Sequence, residues 1–177
     1  MSFATLAVTK SGHVAEIRLS RPGDGNPIDA RFLDELEQAA SAIHEYPEVH
    51  VALLTADGDS FSRGDPGEGR VSSPDRLPFR CLELMAQPVI ACIQGDAIGA
   101  GLELALACDI RIAAEGATFS IRDVAAGRVP SAGATQRLPR LIGRGKASEM
   151  ILLGEPLDAQ AALACGLVNA VVPRADL

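Results

Sequence analysis

Between Pro88 and Ala114 the chain is at its most apolar, and three acids, Asp96, Glu103 and Asp109, break the run. A membrane span needs ~20 clean apolar residues, so the stretch reads as the interior of a globular fold. It divides into three parts. Val89 to Ile93 is apolar at every position, as in a strand buried on both faces. Gly95-Asp96-Ala97-Ile98-Gly99-Ala100-Gly101 is a glycine-rich turn, and a helix follows to Cys108. Strand, tight turn and helix in succession are the unit of α/β folds.

The same alternation runs through the rest of the chain. Leu6 to Val8 and Val14 to Leu19 read as strands joined by a hairpin at Lys10-Ser11-Gly12, and Arg21 to Pro27 as a loop. Asp29 is placed to cap a helix reaching Glu45, with Phe32, Leu33, Leu36, Ala39, Ala40 and Ile43 along one face. Val49 to Thr55 reads as a strand, and Ala56 to Pro78 as a polar loop. A helix is expected over residues 77–86. Ile110 to Ala113 and Thr118 to Ser120 read as strands. Gln136 to Ile142, Lys146 to Leu153 and Ala159 to Ala164 read as helices, the last two stopped by Gly154 and Gly166. Val168 to Val172 reads as a closing strand. The class is α/β with much parallel pairing. No internal repeat and no linker is visible, so residues 1–177 are expected to form a single domain.

Composition removes several function classes. Sixteen basic against 23 acidic residues leave a net charge of −7, which argues against general binding to phosphate backbones. With no Trp and one Tyr, base-stacking platforms are poorly supplied. Three scattered histidines lack metal-ligand spacing. Cys81, Cys92, Cys108 and Cys165 form no C-x-x-C pair and read as reduced core thiols of a cytoplasmic protein. The N-terminus has no signal-peptide pattern. Acids from Asp57 to Glu68 are spaced somewhat like a calcium loop, but Ser62 stands where glycine is required.

The chemistry-bearing positions cluster around the apolar centre. The first N–H groups of a helix lack internal partners, so the Gly95–Gly101 turn can present main-chain donors to an oxyanion. It matches neither G-x-G-x-x-G nor G-x-x-x-x-G-K-[ST], so no nucleotide is indicated. It also reads as a turn whose glycines serve packing. Glu103 lies one turn past Ala100 in an otherwise apolar helix. A carboxylate there is costly unless paired or used, and a surface-facing or salt-bridged glutamate remains the alternative. Asp123 reads either as an acid facing the same space or as an exposed helix cap beside Arg122. Ligands of parallel α/β folds gather at the C-terminal ends of strands. The loops Ser62 to Asp65 and Ile98 to Gly101 are both so placed, and each can offer one N–H to a shared oxygen.

Residues 88–109 together with Phe119, Gly127, Pro130 and Gly133-Ala134-Thr135-Gln136-Arg137-Leu138-Pro139-Arg140 resemble the crotonase superfamily (the enoyl-CoA hydratase/isomerase family). Leu19-Ser20-Arg21-Pro22 and Asn26-Pro27-Ile28 extend the resemblance to the N-terminal part. It implies a spiral of repeated ββα units, assembled as trimers or hexamers. It implies an acyl-CoA thioester substrate, with coenzyme A part of the substrate and no further cofactor or metal. By motif position the oxyanion-hole N–H groups fall on Arg63 and Ala100, with Gly64, Asp65 and Gly99 against the substrate. Glu103 is assigned to activating the water that adds at Cβ, and Asp123 to the Cα proton. An isomerase, or a non-catalytic assembly role, is the alternative. Asp123 stands where the hydratases carry glutamate, and Gly64-Asp65-Pro66-Gly67-Glu68 departs from the family's usual stretch along the CoA. The family's C-terminal helical segment, a lid and trimer contact, is not represented in the 177 residues.

Overall fold

The computed structural model describes residues 3–64 and 78–177. Six strands form the main sheet. β1 (Leu6–Ser11) and β2 (Val14–Leu19) are the expected antiparallel hairpin. β2 then pairs in parallel with β3 (Val51–Ala56), β3 with β4 (Val89–Ile93), and β4 with β6 (Ile110–Ala114). β9 (Ala170–Val172) closes the edge, so the order is β1-β2-β3-β4-β6-β9. A second sheet has three short strands, β5 (Ala97–Ile98), β7 (Thr118–Ser120) and β8 (Leu157–Asp158).

The chain repeats one motif that its sequence hides. β4 in the large sheet leads to β5 in the small one and then to helix α3 (Ala100–Leu106). β6, β7 and helix α4 (Ala134–Ile142) repeat that path. These are the ββα units expected from the resemblance. Only hydrophobic periodicity is shared between the copies, so self-similarity of residues does not reveal them.

Helix α1 (Ala30–His44) begins where expected, because the Asp29 carboxylate accepts the Phe32 N–H at 2.8 Å. It covers the sheet with Phe32, Leu36, Ala39 and Ile43, all buried. Each such Leu, Ile or Phe contributes about 1.5–3 kcal/mol of burial. Helix α5 (Arg144–Leu153) ends at Gly154 and α6 (Ala159–Ala164) starts on the Asp158 cap, whose carboxylate accepts the Ala161 N–H. None of the four cysteines is in a disulfide. Among the described residues no helix is long and apolar enough to cross a membrane.

Three expectations shift. The helix expected over residues 77–86 is a single turn, α2 (Arg80–Glu83), with Phe79 in the left-handed region at φ 66°. The left-handed Phe79 cannot continue a helix backwards from Arg80, and the Ala86 N–H turns away to His44 Nδ1. α4 starts two residues earlier than the periodicity suggests, at a glycine cap. The last strand is shorter than expected, because the Leu167 and Val168 N–H groups return to Ala162 O.

Candidate active site

Three segments are stitched together at the ends of β3, β4 and β7. The Ser62 N–H donates to Asp96 O at 3.0 Å, and the Ile98 N–H returns the bond to Ser62 O at 2.9 Å. The Gly99 N–H donates to Ser120 O at 2.8 Å. The two loops paired in the sequence reading are therefore bonded neighbours. Their approach depends on missing side chains. Gly64 has φ +81°, and a Cβ there would fall 2.5 Å from Ile98 O. A Cβ on Gly101 would fall 2.3 Å from Ser62 O. Both contacts are with backbone, which cannot swing aside.

α3 is buried along its whole length, and Glu103 goes inside with it at 2% exposure. The carboxylate is gripped from one side only. Its Oε1 accepts the Ala132 N–H at 2.9 Å and the Ala134 N–H at 2.8 Å. Oε2 has no hydrogen-bond partner among the described residues. Glu103 lines a cleft of about 180 Å³ together with Gly99, Ala100, Asp123, Arg128 and Ser131. Burial pushes its pKa up. The two N–H bonds offset part of this, the charge of Asp123 adds to it and that of Arg137 opposes it, leaving Glu103 at about 7.

Asp123 sits at the N-terminal position of a one-turn 3-10 helix (Val124–Ala126) but makes no capping bond. The cap expected as the alternative is not formed. Its carboxylate lies over Gly99, with Oδ2 3.6 Å from where a Cβ of that glycine would be. Arg128 Nε is 3.9 Å from Oδ1. Gly99 at φ +53° leaves this floor bare.

The Ala100 N–H, at the first position of α3, has no acceptor among the described residues and lines the cleft, as an oxyanion donor would. The donor expected from Arg63 is corrected. That N–H is committed to Gly25 O at 2.9 Å, because the Arg21–Pro27 loop packs beneath it. The Gly64 N–H is also taken, by Ser62 Oγ at 3.1 Å. Gly64 is buried against the start of α3 and is not among the residues that line this cleft. Asp65, Pro66, Gly67 and Glu68 lie outside the described residues. The Arg63 side chain does line the cleft, with Arg122 and Arg128. Three guanidinium groups thus surround the mouth of a site on a chain that is acidic overall.

The sequence reading missed the Ala132–Ala134 turn, whose signal was Gly133 ahead of a helix, and the arginines of the rim. A larger cleft of about 360 Å³ shares Arg63 but contains neither Glu103 nor Asp123. Size does not pick the site; the buried carboxylate does.

The sequence profile of the enoyl-CoA hydratase/isomerase family matches residues 9–177. The crotonyl-CoA hydratase of Syntrophomonas wolfei is 35% identical over the whole chain, which covers 72% of that protein. The short-chain-enoyl-CoA hydratase of Clostridium acetobutylicum is 37% identical with the same coverage. A crystal structure of an enoyl-CoA hydratase from Bacillus anthracis matches with a TM-score of 0.90 at 38% identity, over 97% of this chain and 71% of that one.

Proposed function

The chain belongs to the enoyl-CoA hydratase/isomerase family, and on that premise we propose that it adds water across the 2,3 double bond of an acyl-CoA thioester. The observation that carries the reading is the half-satisfied carboxylate of Glu103, with Asp123 beside it and the Ala100 N–H in the same cleft. The thioester carbonyl oxygen accepts the Ala100 N–H, and the enolate formed on attack concentrates negative charge on that oxygen. One such donor is worth about 2.7–4 kcal/mol in the transition state. Glu103 takes a proton from water as the oxygen bonds to Cβ, and Cα takes up a proton from solvent handed on by the Asp123 carboxylate. The two acids then re-equilibrate through solvent. A base must be ionised to act, so hydration rises with pH through about 7, where Glu103 loses its proton.

The cleft of about 180 Å³ accommodates the reacting carbons, while the bulk of the thioester lies outside it. The rim of Arg63, Arg122 and Arg128 favours an anionic substrate despite the net charge of −7. No cofactor beyond the CoA of the substrate is needed. Assembly as a trimer or hexamer is part of the proposal, and Leu152 and Leu153, more than half exposed on α5, are apolar side chains that a neighbouring copy could cover.

The test is a panel of saturated and unsaturated acyl-CoAs, read first by calorimetric binding and then by absorbance of the enoyl band. Hydration is expected to bleach that band and to place ¹⁸O from labelled water at Cβ. Double-bond migration without label would make the chain an isomerase, in which one acid suffices. Absence of acyl-CoA binding would overturn both in favour of a non-catalytic role.

A further inference from the structure

The turn that grips Glu103 is itself held. Ala132 and Ala134 supply the two N–H groups, and Gly133 between them has φ +116°. Arg137, one turn into α4, folds back over this turn. Its Nη1 donates to Ala132 O at 2.7 Å. Its Nε and Nη2 donate to Glu83 Oε1 on α2, at 2.9 and 2.8 Å. A Cβ on Gly133 would lie 1.9 Å from Nη1, so the guanidinium occupies the space that glycine leaves. The side chain is mostly buried, while its acid partner is nearly half exposed. Arg140, on the same helix, hydrogen-bonds only Gln136 among the described residues.

We propose that Arg137 is a positioning residue for Glu103: it clamps the Ala132–Ala134 turn to Glu83 and so fixes where the free oxygen of the carboxylate points. The inference deepens the hydratase reading, but its physical core does not require that reading. Peptide donors placed on one oxygen determine both the direction of the other and the ease of ionisation. Loosening the turn lengthens those bonds, and removing Arg137 also removes a positive charge that favours the ionised form. Among the described residues, the other charges facing this carboxylate are Asp123, which opposes ionisation, and the exposed Arg63, Arg122 and Arg128 at the mouth of the cleft.

The experiment compares wild type, Arg137→Gln, Arg137→Lys, Glu83→Gln and, as control, Arg140→Gln. The Glu103 carboxyl is titrated by ¹³C NMR without substrate, with Glu103→Gln assigning the resonance. Initial rates with crotonyl-CoA and thermal melts accompany it. Arg137→Gln is expected to raise the Glu103 midpoint and to lower kcat about tenfold or more, because small misplacements of a reacting group are costly. KM is expected to change less than about twofold, because the clamp does not touch substrate. Arg137→Lys restores part of both, and Glu83→Gln shifts the midpoint the same way by less. Arg140→Gln changes neither.

A folded Arg137→Gln protein with unmoved midpoint and kcat overturns the proposal. If that variant does not fold, an unmoved midpoint in both Arg137→Lys and Glu83→Gln overturns it. A wild type that titrates as expected but hydrates nothing would sink the hydratase reading while leaving the clamp tested.

Discussion

Two glutamates among the described residues are buried, and they are held in opposite ways. Glu35 on α1 accepts the Ala4 N–H, the Thr5 N–H at 2.7 Å, the Thr5 hydroxyl at 2.6 Å and Arg31 Nε at 2.9 Å, shared over both oxygens. Desolvation pushes its pKa up, but these bonds together outweigh it and hold Glu35 at about 2. Glu103 has two N–H bonds on one oxygen and an open cleft at the other, and desolvation prevails, at about 7. Burial is common to both; saturation of the lone pairs is not. A satisfied carboxylate is a staple tying the N-terminal strand to α1. A half-satisfied one is a base held near neutrality.

The sharpest way to break the contrast is Glu103→Gln. Hydration of crotonyl-CoA is expected to fall by about 10²–10⁴-fold, the range of a lost general base, with the melting temperature at pH 8 unchanged or higher. Full activity in that variant would remove Glu103 from the mechanism. Glu35→Gln is expected to do the reverse. It should cost about 1.5–3 kcal/mol of stability in denaturant titration, the range for hydrogen bonds to a charged group, and leave kcat within about twofold.

The pH dependence of stability separates them further. Glu35 is more acidic folded than unfolded, so its contribution is present above its ordinary value of 4.5 and is lost as pH falls through about 2. Glu103 is less acidic folded, so its contribution is present below 4.5 and is lost as pH rises from there through about 7. Denaturant titrations across pH should show the neutral decline flattened by Glu103→Gln and the acid loss flattened by Glu35→Gln. Asp123→Asn is expected to lower hydration by removing the group that passes the Cα proton, and its smaller effect is on Glu103, because it removes a negative charge that raises that pKa. The Glu103 midpoint, read by ¹³C NMR, should move down.

Much of the fold was legible because it rests on local signals. The Asp29 cap, the apolar face of α1, the all-apolar β4 and the stops at Gly154 and Gly166 each act within a few residues. The site was legible only in part. Glu103 stood out because it interrupts an apolar helix. Glu35 did not, lying between Asp34 and Leu36 with Glu37 beyond, where nothing local separates a buried acid from solvated ones. The donor expected from Arg63 failed for the same reason, since its N–H is taken by Gly25, 38 positions earlier in the chain.

The order of residues by itself determined the α/β class, the strand–turn–helix that carries Ala100 and Glu103, and the family to which the chain belongs. Tertiary structure decided which main-chain donors stay free, which oxygen of Glu103 faces the cleft, and that Asp123 lies over Gly99 instead of capping a helix. The physical reason is range. Propensity and periodicity act between neighbours in the chain. Desolvation and hydrogen-bond saturation depend on groups such as Ala132, Arg137 and Glu83, which only the closed fold brings together.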